Sequence, residues 1–222
     1  MDRLGTFLGR PTGEAAVKDA TQVFLRRLPV TLIGAIIIWL LVRPAIDSLV
    51  AGLAQTLVRS FEYPRVTRLV IEDHRVQVRR SDLRTDSKIY SVSMTEVSFN
   101  TIVLLALYLA LPRPFSRRQL ERLLMGLCVL TACQSVNLVF HVKTLYATGL
   151  GEWSQHYYSD FARNAFGFGR YFSDLPGRFS FPFLIWLGFN WEVVMKMLRM
   201  SEDSNERSAS RRKMKKTRAV SP

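Results

Sequence analysis

Cys133, Asn137 and His141 recur every four residues in "TACQSVNLVFHVKTLY", so a helix through this stretch carries all three on one stripe, with Gln134 beside them. A thiol, an amide and an imidazole are the parts of a cysteine-dependent acyl transfer: nucleophile, oxyanion donor and base. Rise per residue separates them. Cys133 and His141 stand roughly 12 Å apart along a helix axis, too far to share a proton. A thiol inside an apolar run is inert unless another helix brings a base, and no other apolar run holds a histidine. Cys133 is therefore the one candidate nucleophile, and no residue is assigned as catalytic. The better reading of Cys133, Gln134, Asn137 and His141 is a polar seam for helix packing, each bridging hydrogen bond worth about 1 kcal/mol in a membrane.

Other constellations are less specific. His141, His156, Asp160 and Asp174 match no metal-ligand spacing, and no metal or other cofactor is expected. "FGFGR" around Gly167 and Gly169 lacks the full spacing and the lysine of a phosphate loop. Ser154 and His156 lie two apart with no nucleophile elbow around them. Cys128 and Cys133, five apart in one run, point in different directions and cannot bridge each other. The stretch from Trp153 to Phe172 is dense in aromatic rings, as at a head-group boundary or a protein docking surface. Trp153, Tyr157, Tyr158, Phe161 and Tyr171 are its expected contact residues.

Four apolar runs must position these groups: Arg27 to Arg43, Glu96 to Arg113, Arg122 to Lys143, and Phe179 to Trp191. The third holds an uncharged stretch from Leu123 to Val142 of roughly 20 residues, enough to cross a hydrocarbon core of about 30 Å. The others need their flanks, with Arg43 and Lys196 snorkelling. "LIGAIIIWLLV" and "TIVLLALYLAL" are apolar all round, which argues against helices of a soluble bundle. Apart from Glu192, the spans read as free of charge, with Asp47 marking an exit after Pro44. The 222 residues carry a net charge of +13. That excess gathers at Arg26 and Arg27, at Arg113, Arg117, Arg118 and Arg122, and in "RRKMKKTR", beside the spans rather than on a nucleic-acid surface. Both termini are expected in the cytoplasm.

The expected fold is a mainly α membrane protein, a four-transmembrane-helix bundle with a small β-rich external segment between helices 1 and 2. Residues 1–27 form a cytoplasmic amphipathic segment and 28–50 the first span. Residues 51–95 hold an external amphipathic helix, either continuing the first span or lying in the interface, and then a small sheet. "RVTRLVIEDHRVQVRR" gives two arms about Glu72, Asp73 and His74, and "KIYSVSM" a third with Tyr90, Val92 and Met94 on one face. The second span is 97–112, followed by a basic cytoplasmic loop at 113–122 and the third span at 123–143. An aromatic-rich external loop at 144–178 leads to the fourth span at 179–198. Residues 199–222 are expected to be a disordered basic tail.

With its first span ending "LLVRPAIDSLVAGLAQTLV", its β-rich segment and its second span opening "SFNTIVLLALYLAL", the chain resembles the exosortase H-associated membrane proteins of bacteria. The resemblance implies a bacterial inner-membrane companion of a membrane transpeptidase that sorts exported proteins. Its partners would be an exosortase-like membrane protein and lipids, with no nucleic acid. The chain does not read as the enzyme itself. Exosortases are known by a cysteine, then an arginine, then a histidine; Arg163 and Arg170 follow Cys133, but no histidine follows them. Three functions stand: a non-catalytic accessory subunit, a cysteine-dependent transpeptidase or protease using Cys133, and a small transporter.

Overall fold

The computed structural model describes residues 13–63, 65–82, 89–111, 114–192 and 194–195. Residues 1–12, Arg113, Lys196 and the tail at 199–222 lie outside the described residues. The first apolar run does not end at Pro44. It belongs to one helix, α1 (Gly13–Ser60), that continues through Pro29 and Pro44. At 1.5 Å per residue α1 is about 72 Å long, more than twice a hydrocarbon core. Each proline lacks an N–H, which leaves the carbonyl four residues earlier, that of Leu25 or Leu40, without its helical partner. Ser48 Oγ donates to the Pro44 carbonyl at 2.8 Å, and Thr31 Oγ1 donates to Ala106 O of a later, shorter apolar helix at 3.2 Å.

A three-stranded antiparallel sheet follows, in the order β1 (Thr67–Glu72), β2 (Arg75–Arg80), β3 (Tyr90–Ser93). Asp73 and His74 turn between the first two strands with φ of 47° and 60°. Two consecutive positive φ values mark the hairpin turn whose twist matches its strands. Met94 does not extend the third arm. It opens α2 (Met94–Ser98), which leads into α3 (Asn100–Leu109). The chain continues through α4 (Arg117–Thr148), about 48 Å long, then α5 (Glu152–Tyr157), α6 (Asp160–Asp174) and α7 (Pro176–Phe189). The aromatic segment is thus helical rather than a loop.

The core lies along the length of α1. At one end Phe24 and Leu28 pack with Leu107, Leu111, Leu130 and Trp186. Mid-length, Ala35 and Trp39 meet Ile102, Leu105 and Ala106. At the far end Val50 and Ala54 share a cluster with Val76, Val92, Met94 and Leu138, and Val58 shares one with Val78, Val142 and Tyr146. The sheet is therefore floored by α1 and α4, and has no core of its own. Its β1 edge is tied to α1, where Gln55 Oε1 accepts from Leu69 N at 2.8 Å.

Two helices are long and apolar enough to cross a membrane, one within α1 and the other α4. Ile33 is 63% exposed and Leu41 77% exposed, a burden of open apolar surface that water does not tolerate in a monomer. Arg118 and Arg122 lie 3.1 and 3.5 Å from Glu192, so that charge is a counter-ion at the end of the bundle away from the sheet.

Candidate functional site

The stripe of α4 turns inward at Gln134, Asn137, Leu138 and His141, all buried. Gln134 Nε2 donates to Asn100 Oδ1 at 2.6 Å and to Thr101 Oγ1 at 2.9 Å, tying α4 to α3. Asn137 Nδ2 lies 3.3 Å and His141 Nε2 3.0 Å from the same atom, Asp174 Oδ1, at the last turn of α6. Arg170 Nε approaches the other oxygen at 3.5 Å. Burial alone would raise the Asp174 pKa. The hydrogen bond of His141, the Asn137 amide and Arg170 outweigh it and hold the carboxyl below its ordinary value. An ionised carboxylate only accepts, so His141 carries its proton on Nε2. Its Nδ1 and the carbonyl oxygens of Gln134 and Asn137 are buried without a partner among the described residues.

Local sequence fixes this meeting. Ser159 caps α6 by accepting from Ala162 N at 3.3 Å, which satisfies one open donor of the first turn. Thr144 Oγ1 donates to Phe166 O at 3.1 Å, clasping α6 onto α4. Gly169 lies where a Cβ would come within 2.5 to 2.8 Å of the Phe140 ring. The glycines of "FGFGR" thus lie inside a helix, one of them at a close helix–helix approach.

Cys133 stands half-buried at the edge of the stripe, and Cys128 is exposed. His141 is bonded to Asp174 rather than to a thiol, and it is buried rather than near water. Of the residues weighed for a metal, His141 and Asp174 meet. His156 stacks edge-on against Tyr157, and Asp160 pairs with Arg163. Among the described residues no three histidine, cysteine, aspartate or glutamate side chains group to hold an ion.

The aromatic contact residues divide. Trp153 packs against Tyr146 and Tyr158 under the sheet, with Arg80 over its ring at 4.6 Å. Arg80 also lies 4.9 Å above Tyr146 and bonds both oxygens of Asp82, at 2.9 and 2.6 Å. The Arg80 hydrogen bond holds the Asp82 carboxyl below its usual range, against a smaller effect of burial. Tyr157 is exposed at the end of α5, and Phe161, Phe168, Tyr171 and Phe172 make an open apolar stripe down α6.

A second polar cluster is absent from the sequence-level reading. Arg43 Nε lies 3.4 Å from Asp47 Oδ2, the Arg43 Nη2 donates to Thr95 Oγ1 at 2.5 Å, and its guanidinium sits 4.9 Å from the Trp39 ring centre. Asp47 is 1% exposed. It is therefore a buried ion-pair partner inside a continuous helix. The i, i+4 spacing of Arg43 and Asp47 was the available signal, hidden by Pro44 between them.

The family described as exosortase H-associated membrane protein matches residues 18–193. No curated protein and no solved structure matches the chain.

Proposed function

The chain belongs to the exosortase H-associated membrane protein family, and from that premise we propose that it is an integral accessory subunit, the companion of an exosortase-type protein-sorting transpeptidase, with no covalent chemistry of its own. The observation that carries this reading is the family match over residues 18–193, whose description names the association. The stripe of Phe161, Phe168, Tyr171 and Phe172 on α6 supports it as a contact surface for the partner or for lipid head groups, since clustered rings dominate interface hot spots. The bonding of Gln134, Asn137 and His141 within the chain supports a packing role for the seam.

In this reading the protein crosses a bacterial inner membrane four times, at 28–50, 97–112, 123–143 and 179–198. The second crossing is short, and flanking residues complete it. Arg26, Arg27, Arg117, Arg118 and Arg122 gather toward the end of the bundle opposite the sheet, which favours cytoplasmic termini and an external sheet.

Purification of the tagged chain in gentle detergent, from cells expressing an exosortase beside it, tests the proposal. The two are expected to co-elute. Replacing Phe161, Phe168 and Tyr171 together by serine should cut recovery of the partner by roughly tenfold or more while leaving the melting temperature unchanged. Cys133→Ala should change neither recovery nor sorting. Migration as a lone monomer would overturn the accessory reading, and loss of sorting in Cys133→Ala would favour the cysteine-enzyme alternative.

A further inference from the structure

A cleft of about 530 Å³ opens between the free edge of the sheet and the end of α4. Ile89, Ser91 and Arg80 line it from the sheet, and Thr144, Thr148 and Arg170 from the helices. Among the described residues the lining holds two arginines and no carboxylate, and Asp82 and Asp174, which pair with them, are not part of it. Among the described residues, no hydrogen bond uses the terminal nitrogens of Arg170.

The backbone phase of β3 is fixed by its neighbour. Met94 N donates to His74 O at 3.0 Å, and the register pairs Val76 with Val92, Gln77 with Ser91 and Val78 with Tyr90. Hydrogen-bonded and non-bonded pairs alternate along an antiparallel ladder. Val92 and Tyr90 therefore bond to β2, and the N–H and C=O of Ser91 face away from it. Arg75 Nη2 approaches that carbonyl at 3.5 Å, and its Nε bonds the Ser91 hydroxyl at 3.0 Å. Among the described residues no strand pairs with this edge.

An open strand edge offers unpaired backbone groups to any extended chain, and the arginines that line it favour an acidic one. We propose that the cleft binds an extended acidic peptide segment of another protein, added as a fourth strand along β3 with one of its carboxylates on Arg170. Side chains alternate along such a segment, so those on its helix-facing side, acidic ones included, enter the cleft that Arg170 shares with Val78, Leu145 and Leu150, and the others point to the outer face of the sheet. This goes beyond the accessory role, and its test requires no exosortase.

Fluorescence anisotropy on the full-length chain in detergent, with three blocked octapeptides, decides it. One alternates valine and glutamate, one alternates valine and lysine, and one is the glutamate peptide with alternate backbone amides methylated. The glutamate peptide is expected to bind, with the other two weaker by roughly tenfold or more, the loss of about two hydrogen bonds or one ion pair. Ser91→Pro removes the outward N–H without removing a bond to β2, and should reduce binding similarly at unchanged circular dichroism and melting temperature. Arg170→Gln should abolish the preference for glutamate over lysine. Equal binding of the methylated peptide, or full binding by Ser91→Pro, would overturn the proposal. Displacement of the peptide by phosphatidylglycerol, with that lipid bound equally by Ser91→Pro, would assign the cleft to lipid head groups and overturn it too.

Discussion

Asp174 gathers Asn137, His141 and Arg170 from two helices onto one carboxylate, so its loss is felt in both. Asp174→Asn keeps the shape and removes the charge. It is expected to destabilise the fold by about 1–3 kcal/mol, the usual value of hydrogen bonds to a partly buried charged group, read as a lower melting temperature in detergent. The pH dependence follows from the direction of two shifts. The folded-state pKa values of Asp174 and Asp82 lie below the ordinary aspartate value near 4, so the unfolded chain takes up protons first as pH falls. Their contribution is present in full above about pH 4 and is lost as pH drops through the lowered values. Melting curves from pH 6 to pH 3 should show this acid limb, and Asp174→Asn and Asp82→Asn should each flatten part of it. Polar residues at helical intervals in an apolar run must find partners, and Gln134, Asn137 and His141 each hydrogen-bond to a residue of another helix. Asp174 was weighed beside His141 only as a metal ligand, because nothing local points to a hydrogen bond with a histidine 33 residues earlier.

At the scale of elements, α6 shows why some of the fold was not readable. Its two glycines look like turn signals in an aromatic segment, yet the segment is a helix from Asp160 to Asp174. The two positions differ physically. A side chain at Gly169 would collide with Phe140, whereas a Cβ at Gly167 meets nothing within 4 Å. Gly169→Val is therefore expected to push α6 off α4 at a cost of about 1–3 kcal/mol, with faster hydrogen exchange across Asp160–Asp174. Gly167→Ala should leave exchange unchanged or slow it, since alanine favours a helix over glycine by about 0.5–1 kcal/mol. The sheet was legible because its alternation is local: Val76 and Val78 are buried while Arg75 and Arg79 are not. Of the two readings of the segment after Pro44, continuation of the first span and a helix in the interface, α1 takes the first; proline ordinarily ends a helix, and here it is followed by apolar residues that pack on a sheet formed later in the chain.

For the whole molecule, the four-crossing proposal can be tested at two exposed sites on either side of α3. Tyr63 is 100% exposed near the sheet, and the Arg117 side chain is 94% exposed at the opposite end. With Cys128 and Cys133 replaced by alanine, an impermeant maleimide added to intact cells is expected to label Tyr63→Cys and not Arg117→Cys. Labelling of both would remove the second crossing, and labelling of Arg117→Cys alone would reverse the orientation. The sheet's dependence on two distant helices also sets an order of events during synthesis. Its last strand ends at Ser93, but half of its floor is Leu138, Val142 and Tyr146. When the ribosome has released β3, those residues do not yet exist. The hairpin must wait beside α1 with one face uncovered until α4 arrives, and that interval is when the nascent chain most needs a chaperone or an early partner.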